Sequence, residues 1–276
     1  MRSPIITLLT DFGLKDPYVA SMKGVMLSIN PQCTLIDITH QVSSHDVREG
    51  AFILAQAYST FPKGTIHLTV VDPGVGSARK PILVVTKNYF FVGPDNGLFT
   101  IALKEETVKR VVLLTNQNFF LSEVSATFHG RDIFAPVAAY LSSGVKPKSF
   151  GPSIKSWHEI SFSGPIMKQG KLVGKIVHVD AFGNLVSNIA QKEFLRFSEA
   201  RSSLIGVGRR TILGVKKGYW EGKRDEVMAL FGSGGFLEIS VREGNAQKSL
   251  RVKKGDAVIV DCGMRDKKAK ISHRKF

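Results

Sequence analysis

The run Asp72-Pro-Gly-Val-Gly-Ser-Ala-Arg79 contains the residues of this sequence best suited to chemistry. It places a carboxylate and a guanidinium on one glycine-rich loop, directly after an apolar segment at residues 65–71 that predicts a strand. In open α/β sheets, ligands bind beyond the carboxyl ends of the strands, where this loop emerges. His129, in Phe128-His-Gly-Arg-Asp132, lies on a second glycine-containing loop that can reach the first. An acid, a cation and an imidazole at one strand end suit the activation of water.

Both motifs also have a structural interpretation. Asp72-Pro-Gly is ordinary turn chemistry, and Asp132 is expected to cap the helix that follows it. The Asp72 loop is not a phosphate-binding loop, because Arg79-Lys80-Pro81 follows where that motif requires Gly-Lys-Ser/Thr. The chain has no His-Glu-x-x-His run and no paired Cys/His spacing, so the sequence predicts no catalytic metal.

Two further carboxylates, Asp11 and Asp16, flank the junction between the first predicted strand and the first predicted helix. Asp16 precedes Pro17 and is a candidate N-cap. A carboxylate at the carboxyl end of a strand also binds the vicinal hydroxyls of ribose in nucleotide-binding folds. Both interpretations remain open from the sequence.

Three turn-forming segments in the second half of the chain are candidates for ligand contact. They are Asp180-Ala-Phe182-Gly-Asn184, Gly232-Ser233-Gly-Gly and Gly244-Asn245-Ala246. The first predicts a hairpin turn and needs no function to explain it. An exposed Phe between a carboxylate and an amide would also suit an aromatic base and an amino acid.

The composition is that of a strongly basic globular protein. The 276 residues are 43% hydrophobic and carry a net charge of +15. Lys and Arg are spread thinly apart from the tail, so the charge predicts a solvated terminus rather than a nucleic-acid-binding arm. No apolar run reaches the ~18 residues that a membrane span needs. Cys33 and Cys262 match no disulfide or zinc spacing, which favours a reducing, cytoplasmic compartment.

The order of predicted elements indicates two domains. Over residues 1–150, strand patterns alternate with helical patterns, which predicts an α/β domain with a mostly parallel sheet and flanking helices. Residues 151–170 are rich in Ser, Pro and Gly and predict a linker. Short strands then predict a C-terminal all-β barrel domain over residues 171–263, followed by a basic tail at 264–276.

The elements are predicted as follows. Strands are expected at residues 5–9, 34–39, 65–71, 82–86, 89–92, 108–114, 171–179, 185–189, 203–207, 211–215, 236–241, 249–252 and 257–260. Helices are expected to begin at Asp16, at Ser43 through a capping-box-like run, and at Asp132.

Taken in their order along the chain, six sequence motifs resemble those of the S-adenosyl-L-methionine (SAM) hydroxide adenosyltransferases, relatives of fluorinase and chlorinase. The resemblance rests on Thr10-Asp-Phe-Gly with Asp16, Asp72-Pro-Gly-Val-Gly with Arg79, Gly93-Pro-Asp-Asn-Gly, Phe128-His-Gly-Arg-Asp, Asp180-Ala-Phe-Gly-Asn and Gly244-Asn-Ala. It implies an α/β domain followed by a β-barrel, in a homotrimer with active sites at subunit interfaces. It also implies that SAM is the substrate, hydrolysed without a cofactor to adenosine and L-methionine by attack at ribose C5′.

The same resemblance assigns roles to individual residues. Asp72, Arg79 and His129 match the family's catalytic triad. Asp11 and Asp16 are expected to bind substrate, Asp16 through the ribose hydroxyls. The positions that match methionine-facing residues are Asp180, Phe182, Asn184 and Ser233, and those that match the adenine edge are Asn245 and Ala246.

Three other functions remain open. One is a SAM- or adenosine-binding protein without turnover. Another is a SAM-dependent halogenase, although the family's halogenases lack the triad and position a halide instead. The third is a nucleic-acid-associated protein that uses the basic tail.

Overall fold

The computed structural model describes residues 3–199 and 201–262. The chain divides into two units, and the boundary falls between Phe162 and Ser163. This boundary lies within the stretch 151–170 that the sequence analysis interprets as a linker. That stretch contains two short strands, Ser153–Ile154 in the sheet of the first unit and Ile166–Lys168 in the sheet of the second. The predicted tail at 264–276 lies outside the described residues.

A seven-stranded sheet forms the centre of the first unit. Its strands are β1 (Ile5–Thr10), β2 (Thr34–Thr39), β3 (Ile66–Val70), β4 (Pro81–Thr86), β5 (Phe90–Pro94), β6 (Val108–Leu113) and β7 (Ser153–Ile154), in the order β2-β1-β3-β5-β4-β6-β7. The pairings among β2, β1, β3 and β5 are parallel, whereas β4 is antiparallel to both β5 and β6. The α/β fold with a mostly parallel sheet is confirmed. Because β1 and β3 are parallel neighbours, the residues that follow them lie at the same edge of the sheet.

Helices cover both faces of this sheet. They are α1 (Tyr18–Ile29), α2 (Val47–Ala57), α3 (Thr100–Lys104) and α4 (Ala135–Ser142). The core on one face contains side chains of α1 and α4, and the core on the other contains side chains of α2 and α3. Along β4, Leu83 packs into the first core, and Ile82 and Val84 pack into the second, because side chains of a strand alternate between its faces.

Three helix starts differ from the sequence prediction. Pro17 occupies the N-cap position of α1, and no side chain caps that helix, so Asp16 is not an N-cap. The N-cap of α2 is Asp46 rather than Ser43, and its side chain accepts a hydrogen bond from the backbone N–H of Glu49 at 2.9 Å. Asp132 caps no helix, because it lies inside a π-helical segment, Gly130–Phe134, that continues into α4.

The second unit is an antiparallel, nearly closed barrel. Its strands are β8 (Ile166–Lys168), β9 (Lys171–Val179), β10 (Leu185–Ala190), β11 (Ser203–Val207), β12 (Arg210–Leu213), β13 (Val227–Phe231), β14 (Phe236–Val241) and β15 (Ala257–Cys262). They pair in the order β12-β11-β15-β9-β10-β14-β13, with β8 beside β9. Lys216, shortly after β12, bridges Leu230 of β13, so the two ends of the sheet approach each other. The all-β prediction for this part of the chain is confirmed.

Two helices interrupt this unit, α5 (Gln191–Ser198) and α6 (Ala246–Leu250). The predicted strand at 249–252 is wrong, because the side chain of Asn245 accepts the N–H of Lys248 at 2.8 Å and starts α6 there. The sequence patterns did not predict β7, β8, β13, α3 or α5. Over residues 3–199 and 201–262, no helix has both the length and the apolar composition needed to cross a membrane.

Candidate active site

Asp72 and Arg79 form a buried ion pair within one loop. Nε of Arg79 donates to Oδ1 of Asp72 at 3.0 Å, and Nη2 donates to Oδ2. Both side chains are more than nine-tenths buried. Burial raises the pKa of Asp72, although the guanidinium of Arg79 opposes this shift. A bidentate pair of this kind fixes the plane and the direction of the guanidinium.

His129 completes a three-residue cluster with this ion pair. Its Nδ1 lies 3.1 Å from Nη2 of Arg79. Because a guanidinium can only donate, Nδ1 must be the acceptor, and the neutral imidazole then carries its hydrogen on Nε2. Burial and the cation of Arg79 lower the pKa of His129, and the carboxylates of Asp72 and Asp132 partly oppose them. The arrangement therefore favours a neutral imidazole.

One nitrogen of Arg79 is left without a partner. Nη1 is buried and forms no hydrogen bond within the part of the chain that the structure describes. The guanidinium carbon lies 5.3 Å from the centre of the Phe134 ring, which packs against it. An unpaired buried donor costs free energy, so Nη1 is available to donate a hydrogen bond to a polar group that enters the site.

A close contact at Gly76 brings the two loops together. Gly76 has a φ of +75°, and a Cβ at this position would lie 2.3 Å from the carbonyl oxygen of Ala126. Ala126 stands three residues before His129. Only glycine therefore lets the Asp72–Arg79 loop pass this close to the segment that carries His129.

The two N-terminal carboxylates occupy the same edge of the sheet as Asp72. Asp11 follows β1, and its Oδ2 accepts the backbone N–H of His45 at 2.8 Å. Asp16 is exposed just before α1. The ring of Phe128, next to His129, lies 5.8 Å from that of Phe12 and 5.2 Å from that of Tyr18. The segment that carries Asp16 thus packs against the segment that carries His129.

In the second unit, Asp180, Phe182 and Asn184 form the turn between β9 and β10. Oδ1 of Asp180 accepts the backbone N–H groups of Phe182 and Asn184, at 2.9 and 2.8 Å, and Oδ2 accepts Nδ2 of Asn184 at 2.9 Å. Both carboxylate oxygens of Asp180 therefore accept hydrogen bonds within the turn that the sequence predicts. Phe182 is 77% exposed at the tip of the turn.

Asn245 and Ala246 lie directly beside this turn. The backbone N–H of Gln247 donates to the carbonyl of Gly183 at 3.0 Å, and a Cβ on Gly183 would overlap the side chain of Asn245. Ala246 is fully buried. Ser233, in contrast, is exposed on the turn between β13 and β14, and no described contact joins it to the other five positions.

A concavity of about 610 Å³ opens on this side of the second unit. Its lining consists of Phe182, Asn184, Tyr219, Trp220, Val241, Arg242, Glu243 and Gly244. Trp220 is 69% exposed, and the hydroxyl of Tyr219 donates to buried Glu238 at 2.6 Å. Tyr219 and Trp220 were not among the site residues predicted from the sequence, although two adjacent aromatic residues in a polar loop are a visible signal.

The sequence did not indicate that Phe134 and Asp132 lie beside the cluster of Asp72, Arg79 and His129. Phe134 is an ordinary core residue by its pattern, and nothing in the sequence indicates that it contacts Arg79. Among the described residues, no three His, Cys, Asp or Glu side chains are placed to hold a metal ion.

Comparison with known proteins gives the family. The model of the SAM hydroxide adenosyltransferase N-terminal domain matches residues 6–151, and that of the C-terminal domain matches residues 174–259. The chain belongs to this family.

Individual relatives agree with that assignment. The chain is 35% identical to the (R)-S-adenosyl-L-methionine hydrolase of Thermus thermophilus, over 91% of this chain and 96% of that protein. It is 37% identical to the (R)-S-adenosyl-L-methionine hydrolase of Salinispora tropica, over 95% and 99%. A fluorinase of Actinoplanes is 29% identical over 68% and 72%. The crystal structure of an uncharacterized conserved protein from Thermotoga maritima superimposes with a TM-score of 0.87 at 39% identity, over 92% of this chain and 99% of that one.

Proposed function

We propose that this protein hydrolyses SAM to adenosine and L-methionine. In this reaction an oxygen derived from water forms a bond to ribose C5′. The C5′–S bond breaks, and its electron pair stays on sulfur as the neutral thioether of methionine. The sulfonium is already an activated leaving group, so the reaction needs neither a cofactor nor an acid. The water molecule loses one proton, which passes to solvent.

The observation that carries this proposal is the unpaired, buried Nη1 of Arg79 beside His129. Nη1 and the Nε2–H of His129 donate hydrogen bonds to the attacking oxygen and stabilise its hydroxide form. Asp72 holds the guanidinium in place and balances its charge. Because Nδ1 of His129 accepts from Arg79, His129 acts as a donor and does not take the proton at that nitrogen.

The remaining site residues bind the substrate. Asp16, which caps no helix, binds the ribose hydroxyls, and Asp11 also contacts the substrate. The turn-and-concavity residues of the second unit bind the methionyl and adenine groups: Asp180, Phe182, Asn184, Ser233, Asn245 and Ala246. The relatives' names specify the (R) configuration at sulfur, and we extend that preference to this protein.

The test is chromatography of each sulfonium epimer of SAM after incubation with purified protein in ¹⁸O-labelled water. The expected products are methionine and adenosine with the label in the 5′-hydroxyl, formed faster from the (R) epimer. Arg79→Met and His129→Asn should abolish most of this turnover. The control variant Lys80→Met, at an exposed position next to Arg79, should keep it. Binding of SAM without products would indicate a sensor, and a 5′-halogenated nucleoside in the presence of halide would indicate a halogenase.

The assembly is part of the same proposal: a cytoplasmic homotrimer whose active sites are each shared by two subunits. Family membership supports the trimer, and the two free, buried cysteines suit a reducing compartment. Light scattering gives the mass. Mixing an Arg79→Met subunit with an Asn184→Ala subunit should restore activity, because some sites then combine two intact halves. Two inactive variants that stay inactive when mixed would contradict shared sites.

A further inference from the structure

The carboxylate of Asp132 connects the triad to the chain segment before it. Asp132 lies three residues after His129, and its side chain has no solvent exposure. Oδ2 accepts the backbone N–H of Ser125 at 2.8 Å, and Oδ1 accepts Nε of Arg131 at 2.6 Å. Its backbone carbonyl also accepts the N–H of Leu121 at 2.9 Å. One buried residue thus holds the incoming segment at two points.

The segment held in this way is the one on which the triad is assembled. Ser125 in turn fixes the backbone at Thr127, because its hydroxyl accepts the backbone N–H of Thr127 at 3.1 Å. Between them stands Ala126, whose carbonyl oxygen faces Gly76 of the Asp72–Arg79 loop. The position of Ser125 therefore sets both the surface against which that loop rests and the approach of the chain to His129.

The buried position of Asp132 is not explained by a role as a helix cap. No side chain caps the π-helical segment or α4, and Asp132 sits in the middle of the former. π-Helical turns inside helices occur frequently at functional sites. Arg131, which neutralises Asp132, lies over the ring of Phe128 at 5.0 Å. These contacts are directed at the chain on either side of His129 rather than at the helix end.

We propose that Asp132 is a positioning residue, which holds Nδ1 of His129 against Arg79 by fixing the Ser125–Thr127 turn. It touches neither the substrate nor the reacting atoms. The inference rests on the proposed hydrolase function for its effect on turnover, but the geometry of His129 can be measured without turnover.

The test variant is Asp132→Asn. An amide has only one acceptor oxygen and presents N–H groups on the other side, so one of the two donors, Ser125 N–H or Arg131 Nε, loses its acceptor. We expect kcat to fall about a hundredfold, the scale of a misplacement of about 1 Å, with little change in KM. The matched control is Asp256→Asn in the second unit, where Oδ2 likewise accepts a backbone N–H, from Lys253 at 2.8 Å. It should leave kcat unchanged.

Nitrogen-15 NMR of the His129 side chain provides the second readout, with the signal assigned by its loss in His129→Asn. In the wild type, the shifts should indicate a neutral ring protonated on Nε2. In Asp132→Asn, they should indicate a mixture of tautomers. A fall in kcat without a change at His129, or a change at His129 without a fall in kcat, overturns the proposal, as does no change in either.

If Asp132→Asn does not fold, Ser125→Pro removes the donor from the other end of the same hydrogen bond. Ser125→Ala, which loses only the hydroxyl that accepts from Thr127, is its control, and the difference between the two variants in the same readouts decides. If the wild type does not hydrolyse SAM, the proposed function fails, and the NMR comparison alone decides whether Asp132 positions His129.

Discussion

Nη2 of Arg79 lies 3.1 Å from Nδ1 of His129, with the guanidinium as donor. The contact assigns the tautomer of the imidazole and makes its protonation unfavourable. An imidazolium would carry a hydrogen on Nδ1 as well, directed at a cation, and the hydrogen bond would be lost. This is the physical reason that Arg79, after burial, lowers the pKa of His129.

The first prediction concerns the pH dependence of turnover. Since the pKa of His129 is lowered, kcat/KM should be maintained through neutral pH and should decline only below about pH 6.5, the ordinary value of histidine. The charged groups that act on His129 are Arg79, Asp72 and Asp132. In His129→Asn, the residual activity should no longer show this decline at acid pH. If the decline at acid pH is unchanged in that variant, another group, such as Asp72, is responsible for it.

The second prediction separates charge from geometry at Arg79. Lysine keeps the positive charge but has only three donors, all on one nitrogen. It cannot replace the two hydrogen bonds to Asp72, the one to His129 and the proposed one to the attacking oxygen. Arg79→Lys should therefore lower kcat by about a hundredfold to a thousandfold, as the loss of one preorganised donor does. Lys80→Met removes a charge next in the chain but leaves the cluster intact, and its kcat should match the wild type. An Arg79→Lys variant as active as the wild type would mean that only the positive charge at this position matters.

The third prediction concerns the close contact at Gly76. Gly76→Ala places a side chain at positive φ, at a cost of roughly 1–2 kcal/mol, and also against the carbonyl of Ala126. Gly64→Ala is the control, because Gly64 has a φ of +90° but open space around it. Urea unfolding should show both variants destabilised, whereas steady-state assays should show activity lost only in Gly76→Ala. An active Gly76→Ala would show that the loops tolerate separation.

The fourth prediction is a stability effect of His67, which is far from any proposed chemistry. Its ring is fully buried, and Nδ1 is 2.8 Å from the hydroxyl of Thr7. Burial lowers the pKa of His67 to about 3. The aromatic rings around it belong to Tyr58, Phe61, Tyr89 and Phe91.

From pH 6.5 down to about 3, the unfolded chain binds a proton at this residue and the folded chain does not. The free energy of unfolding should therefore decrease by roughly 1.4 kcal/mol for each pH unit in that window. His67→Gln should flatten this slope in urea unfolding, while His158→Gln, at an exposed position, should not. Equal slopes for His67→Gln and wild type would contradict a neutral buried imidazole.

Periodic elements of the fold were predictable because burial leaves a regular pattern. The spacing of Val19, Met22 and Val25 in α1 is that of a helix packed on one side, and the first two are buried. β9 was predicted with its observed bounds, Lys171–Val179. The run Val227–Phe231 was missed because it follows a highly charged segment, and a continuous apolar run lacks the alternation of a half-exposed strand.

A local helix cap can override the hydrophobic pattern of a segment. Residues 249–252 end in Leu-Arg-Val, which alternates like a strand, yet Asn245 starts a helix four residues earlier. At the candidate site, the proximity of Asp72, Arg79 and His129 follows from strand order and from two glycine-containing loops. The contact with Phe134 and the hydrogen bonds of Asp132 do not, because they depend on a π-helical segment that the sequence pattern does not indicate.

Asp72 and Arg79 stand seven positions apart on one loop, and each cancels the buried charge of the other. Loss of either residue alone leaves an unpaired charge in the interior, a state that destabilises proteins by roughly 3–5 kcal/mol. Replacement of the whole loop removes both charges in a single event. Natural variation at these two positions should therefore be correlated, and lineages that abandon this chemistry should do so by exchanging the loop rather than through point mutations taken one at a time.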